Sequence, residues 1–294
     1  ISTPREYNEG EISDFKSRQI SHTKGGKIFG IKYAFSSKST LMETIKSIYG
    51  YISGKRRITS NVFLNCEFIN METITASTHT GTHMDAPFHF GSSSEGKPAL
   101  TIDQIPLQWC FGHGVLLDLT FKKPGELILV EDIKKALTKI EYDLKPLDIV
   151  LIRTGADRYW NTRGYLVNYP GMSREATEYI VNHGVRVIGI DSYSFDRPFV
   201  NMINDYFRTG DNGCLFPAHF FGRDKSYCHI ERLSNLDKIT IPYGFYLSCF
   251  PIRIKGAGAA WVRAVAIIDR MVLKQMEGRT GSEYEKDNKY RSES

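Results

Sequence analysis

The chain has 294 residues, of which 41% are hydrophobic and 24% charged, with a formal net charge of +5. Its length allows one large domain or two small ones around a buried core, and its composition is that of an ordinary globular protein. No apolar run approaches the roughly 20 residues needed to span a bilayer, and Lys and Arg are scattered, so neither a membrane nor a nucleic-acid partner is predicted.

The densest basic cluster, "GKRR" at 54–57, reads as a solvated loop. The five cysteines are odd in number and form no CxxC pair, which argues against a disulfide framework or a thiolate metal site and for buried free thiols. No N-x-S/T sequon occurs, and a cytoplasmic chain is expected. Because the sequence starts at Ile1, secretion after removal of a leader stays open.

Residues 1–25 are polar and read as an arm or extended lead-in. "TLMETIKSIYGYI" (40–52) has apolar residues at helical spacing and a stop near Gly54, and "NVFLNCEFI" (61–69) reads as a strand. "GHGVLLDLT" (112–120) predicts a buried strand, "VEDIKKALTKI" (130–140) an amphipathic helix and "DIVLIRTG" (148–155) a further strand. "SREATEYIVNHG" (173–184) is a helix with a Ser cap and a Gly stop, and "VRVIGIDSYSFD" (185–196) a strand entering an acidic loop. Late strands follow in "ITIPYGFYLSCFPIRI" and "AAWVRAVAIID", and the tail from about Met276 has a disordered composition. Helices and strands alternate in the middle while strands dominate near the ends. The pattern predicts an α/β or α+β fold built on one mixed sheet. The organisation expected is an N-terminal arm with a helical elaboration over 1–60, a catalytic domain over 61–272 and a polar tail over 273–294.

"STHTGTHMDAPFHF" (77–90) concentrates metal-capable side chains. His83 and Asp85 are two apart, so on an extended segment they point the same way. His79 lies four residues earlier, across a Gly that permits a tight bend. These three can face one ion, and imidazole with carboxylate suits zinc or manganese. Pro87 is expected to hold the following chain extended and to fix where His89 points. Further along, "PAHFFGRDKSYCHIE" supplies His219, His229 and Glu231. Three protein ligands with an open position make a catalytic site, whereas four closed ligands make a structural one.

These residues resemble a family. "HTGTHMDAPFHF" is similar to the HxGTHxDxPxHF signature of the metal-dependent cyclase family, which includes bacterial-type kynurenine formamidases and isatin hydrolases. "LIRTGADRYW", "YPGMSREATEYIVNHGVRVIGIDSYSFD", "PAHF" and "AAWVRAVAI" follow in the family's order, so the likeness runs from about Asn61 to Asp269. The resemblance implies that His79, His83 and Asp85 are primary ligands, with Asp85 bridging where two ions bind. It implies that His219 and Glu231 hold the second ion and that His89 transfers protons. It also implies a single domain with a twisted, barrel-like sheet flanked by helices, assembled as a homodimer or homotetramer. Between Asp191 and His219 this chain is longer than the formamidase form and resembles a long-loop branch.

The chemistry implied is hydrolysis by metal-activated water, opening an aryl-formamide, lactam or lactone of a small aromatic substrate. Phe88, Phe90, Trp160, Tyr193 and Phe195, together with Trp109, are candidates to line a pocket for a flat ring. Asp191 ends an apolar strand and is a candidate to hydrogen-bond a ligating histidine, with a turn role as the alternative. A metal-dependent cyclase or lyase acting on a natural-product intermediate, and a non-catalytic binding protein on the same fold, are the competing readings.

Overall fold

The computed structural model describes residues 1–2, 15–35 and 40–269. The lead-in at 3–14 and the polar tail lie outside the described residues. The chain forms two compact units, Asp14–Ala76 and Ile1–Ser13 with Ser77–Ser294.

In the smaller unit, β1 (Lys16–Ile20) pairs antiparallel with β2 (Met71–Thr75), Lys16 opposite Thr75. Between them lie α1 (His22–Phe35) and α2 (Leu41–Ile52). The predicted helix at 40–52 is α2, capped where the Thr40 hydroxyl accepts the Glu43 N–H. The strand predicted at 61–69 is instead two turns of 3-10 helix, Ser60–Val62 and Leu64–Cys66. Asn65 and Cys66 sit at φ 55° and 58°, which ends any extended run. Phe63 and Phe68 pack on Phe29 of α1, so side-chain packing overrides the strand-like composition.

The larger unit is built on β3 (His83–Asp85), β6 (Phe111–Asp118), β8 (Ile149–Arg153), β10 (Val187–Ile190), β11 (Cys228–Glu231), β12 (Phe245–Ser248), β13 (Ala259–Trp261) and β14 (Val265–Ile267). Two-residue strands fill the remaining numbers: β4 (Ser93–Ser94), β5 (Lys97–Pro98), β7 (Leu127–Ile128) and β9 (Gly171–Met172). The eight longer strands form one mixed sheet in the order β13-β3-β11-β10-β8-β6-β12-β14. Its four central strands are parallel, and both flanks are antiparallel. The sheet curls into a half-barrel.

Alternation along the strands divides the core in two. Val115, Leu117, Val150, Ile152, Ile188 and Ile190 face one side. There they meet Ile133 and Leu137 of α4 (Val130–Lys139), Ala176 and Ile180 of α5 (Arg174–Asn182), and Ala218 and Phe221 of α7 (Pro217–Phe221). Leu116, Ile149, Leu151 and Val187 face the other side, with Met84, Cys228 and Ile230. β8 is buried on both faces, as expected of a central parallel strand. Each of its fully buried side chains contributes about 1.5–3 kcal/mol of transfer free energy.

The long loop expected between Asp191 and His219 contains an eleven-residue helix, α6 (Phe199–Thr209), stopped by Gly210 at φ 71°. Among the described residues no helix is long and apolar enough to cross a membrane. All five cysteines are free: Cys110, Cys228 and Cys249 are buried, Cys214 is half-buried and Cys66 is exposed.

Candidate metal centre

The site grows from sheet register. On β3, Met84 faces the side without the α4–α5 helices, so His83 and Asp85 face the side with them. On β11, Cys228 and Ile230 behave like Met84, which sends His229 and Glu231 to the same face as His83 and Asp85. The two strands pair antiparallel with His229 opposite Asp85 and Glu231 opposite His83. Four metal-capable side chains therefore form a two-by-two array, and all are buried.

Two loops complete it. Gly81, at φ 61°, makes the bend that returns His79 to Asp85, with His79 Nδ1 3.0 Å from Asp85 Oδ1. Pro87 does not hold the chain extended as expected. It opens a short helical turn, α3 (Pro87–Phe90), because a proline fits the first helical position, where no N–H is needed. His89 reaches the site from that turn, its Nε2 4.0 Å from Asp85 Oδ2 and its side chain 36% exposed. From α7, His219 brings Nε2 to 3.6 Å from Glu231 Oε1.

The donors fall into two groups that share Asp85: His79, His83 and Asp85; and Asp85, His219, His229 and Glu231. Asp85 Oδ1 faces the first group, 3.0 Å from His79 Nδ1 and 3.4 Å from His83 Nε2. Asp85 Oδ2 faces the second, 3.0 Å from His229 Nε2.

A test of whether these residues fit a metal lies in the hydrogen bonds they lack. His83 Nδ1 donates to the Gly81 carbonyl at 2.7 Å, so its Nε2 carries a bare lone pair. That Nε2 and Asp85 Oδ1 are buried, yet neither has a hydrogen-bond partner. Leaving such groups unpaired costs about 1–3 kcal/mol each. Asp85 Oδ1 lies close to His79 and His83 without hydrogen-bond alignment, as donors aimed at a common third point do. The donor set of nitrogen and carboxylate oxygen suits zinc or manganese. The residues fit a divalent ion.

Electrostatics follow from this crowding. Burial pushes the Asp85 carboxyl up, but His83, His229 and His79 overcome it and hold the group well below the usual carboxylate range. Glu231 behaves likewise through His229 and His83. Burial pulls His229 down, but hydrogen bonds to Asp85 and Glu231 bring it up to about 9. His79 is raised, with burial opposed by its contact with Asp85. His89 goes the other way, to about 4, because burial and the neighbouring His79, His219 and His229 outweigh the attraction of Asp85. Its ring is therefore neutral at pH 7.

Asp191 does not touch a ligating histidine. Its carboxylate accepts the Thr154 N–H (2.8 Å), the Thr154 hydroxyl (2.6 Å) and the Gly155 N–H (2.8 Å), clamping the turn after β8. Burial pushes that carboxyl up to about 7 against these three donors. The histidine-orienting role falls to Asp196, which is fully buried. It accepts from His219 Nδ1 at 2.5 Å, from the Ala218 N–H at 2.8 Å and from the His219 N–H at 3.1 Å. The bond from Nδ1 leaves His219 Nε2 free to ligate.

The aromatic candidates divide. Phe90 and Phe195 are buried against His229, with centroids 5.0 and 4.4 Å away, and have no surface to offer a substrate. Trp160 packs edge-on against Tyr165 in a separate aromatic cluster. Phe88 is 45% exposed on the turn that carries His89. Tyr193 lines a pocket of about 330 Å³. The resemblance carried no role over to His229, which the sequence offered only as one of three further metal-capable residues, although "HIE" on β11 repeats the two-residue spacing of "HMD" on β3.

A curled mixed sheet carrying a buried histidine–carboxylate cluster defines the class: an α/β protein with a candidate divalent-metal centre. The family model described as "Putative cyclase" matches residues 19–197, and the chain belongs to this cyclase family. It is 30% identical over 198 residues to a kynurenine formamidase of Geobacillus thermodenitrificans, covering 67% of this chain and 79% of that protein. Formamidases of Bacillus species match over about half of their own length, 54–56%. The cyclase-like protein 2 of Arabidopsis thaliana is 25% identical over 247 residues, 82% of this chain and 79% of that one. The structure of isatin hydrolase A from Ralstonia solanacearum shares the fold, with TM-score 0.61 and 18% identity, covering 92% of this chain and 86% of that one.

Proposed function

We propose that this protein is a metal-dependent hydrolase that opens the C–N bond of a small aromatic amide, in the manner its formamidase relatives' names describe. One observation carries the reading: His83 Nε2 and Asp85 Oδ1 are buried, unpartnered and aimed into a cluster beside a neutral, half-exposed His89. His79, His83 and Asp85 would hold one ion, and Asp85, His219, His229 and Glu231 would hold a second. A divalent ion bound there supplies Lewis acidity toward a carbonyl and acidifies water at neutral pH.

The remaining work belongs to the chain. His89 accepts the proton of the attacking water as the C–O bond forms, then returns it to the leaving nitrogen as the C–N bond breaks. Asp196 keeps the His219 ring in one tautomer, and the Gly81 carbonyl does the same for His83. Tyr227 supports His229, its hydroxyl 3.4 Å from His229 Nδ1. The ions are zinc or manganese, the assembly is a homodimer or homotetramer, and the five free thiols suit a reducing compartment such as the cytoplasm.

The test is turnover of N-formylkynurenine, isatin and a lactone panel by protein reconstituted with Zn²⁺ or Mn²⁺, beside anomalous scattering from crystals. Two anomalous peaks sharing Asp85, with ring-opening of an amide, are expected. Protein that takes up no divalent ion, by elemental analysis, refutes the reading.

A further inference from the structure

The match to the family model ends at residue 197, and the chain immediately beyond completes the pocket in which Tyr193 sits. Its walls include Leu166, Val167, Phe199, Val200, Met202 and Phe216. Phe199 and Val200 open α6, and Met202 is its buried member. Phe199 and Phe216 stack, with centroids 5.9 Å apart and planes at 29°. Phe216 holds φ 52°, a left-handed conformation that a bulky side chain rarely adopts. That strained backbone carries the ring onto His219, at 5.6 Å.

Two of the pocket's lining residues touch side chains of the metal centre. Phe216 packs on His219, and Ser194, another lining residue, donates to Glu231 Oε1 at 3.2 Å. About 330 Å³ is at the small end of ligand pockets, enough for a compact ring system. Arg197 is the charged side chain among its lining residues, but its guanidinium is paired with Asp205, which also accepts from Arg208 at 2.8 Å. Arg197 also reaches the Gly125 carbonyl at 3.4 Å. Its charge is thus spent on the protein.

We infer that this pocket binds the non-reacting part of the substrate and selects an apolar, uncharged aromatic group against one bearing a carboxylate or a zwitterionic side chain. The inference rests on the hydrolase reading for the term substrate, while the pocket's selectivity stands by itself. A carboxylate entering it loses water and finds the pocket's cation already occupied. Asp205 is then the specificity-determining residue, through its hold on Arg197.

The experiment uses matched probes. Calorimetric titration of the zinc-loaded protein compares 4-methylacetanilide with 4-acetamidobenzoate, whose carboxylate points away from the amide. Binding of the neutral probe at least tenfold tighter is expected. Val200→Asp, at a half-exposed position that tolerates charge in the fold, should weaken the neutral probe at least fivefold. Asp205→Asn should narrow the neutral-to-anionic ratio at least fivefold by unmasking Arg197. Equal or tighter binding of the acid overturns the inference, as does a neutral affinity unchanged in Val200→Asp or a ratio unchanged in Asp205→Asn. A parallel assay follows hydrolysis of 4-methylformanilide and 4-formamidobenzoate by the metal-loaded protein. Selective binding with no hydrolysis of either sinks the hydrolase reading and leaves the pocket. Hydrolysis favouring the anionic formamide sinks the pocket and leaves the hydrolase.

Discussion

Replacing Asp196 by asparagine tests how the second ligand group is held. The change keeps the volume and removes the charge. Asp196 accepts three hydrogen bonds, from His219 Nδ1 at 2.5 Å and from the N–H groups of Ala218 and His219 at 2.8 and 3.1 Å. An asparagine that keeps the Ala218 N–H through its oxygen places its amide nitrogen where Oδ2 stood, and that nitrogen faces the His219 N–H and Nδ1 as a donor. The His219 ring answers by moving its proton to Nε2, the atom that looks into the cluster 3.6 Å from Glu231. Loss of such an outer partner costs about 10–100-fold in metal affinity, or roughly 1.4–2.8 kcal/mol. Asp191→Asn is the control. It disturbs three equally short bonds on the Thr154–Gly155 turn and touches no metal-capable histidine. It should destabilise the fold by about 2–4 kcal/mol and leave affinity within about twofold. Chelator competition, run well below each variant's melting temperature, measures the affinities, and urea denaturation of the metal-free proteins measures stability. Wild-type affinity in Asp196→Asn, or equal losses in both variants, refutes the assignment of Asp196 as the residue that orients His219.

His89→Ala should retain its metal and lose about 10²–10⁴ in kcat, whereas His83→Ala should lose metal and activity together; elemental analysis beside kinetics separates them. Metal uptake should release protons, because His229, raised to about 9, carries a proton at neutral pH in the metal-free protein and must shed it to ligate. Affinity should therefore climb from pH 6 to pH 9, and calorimetry in buffers of different ionisation enthalpy will show whether it does. The same sign governs metal-free stability: the His229 contribution is complete below its ordinary value of 6.5 and fades as pH rises through about 9, a trend a denaturation series would reveal. Gly222→Ala would place a Cβ 2.1 Å from the Phe90 ring, which backs His219 and His229, and should cost about 1–3 kcal/mol in urea unfolding.

The run from His79 to Asp85 was legible because local geometry alone constrains it. Two-residue spacing on any extended strand aligns His83 with Asp85, and the glycine at 81 permits the bend that returns His79. The central strands were legible for a similar reason, since a continuous apolar run such as "IVLI" has no solvent-compatible face and must be buried on both sides. The signature in "HTGTHMDAPFHF" pointed to the family that the match over residues 19–197 establishes. Composition could not reveal that 61–69 turns instead of extending, because the packing of Phe63 and Phe68 on Phe29 decides it. What tertiary structure alone decided is the partner of each residue. Whether β3 lies beside β11, and in which register, depends on contacts across more than a hundred residues, and a shift of one position would turn His229 and Glu231 to the opposite face. The same holds for the choice between Asp191 and Asp196: both follow one strand, and the placement of α7 over Asp196 is what gave that carboxylate a histidine to hold.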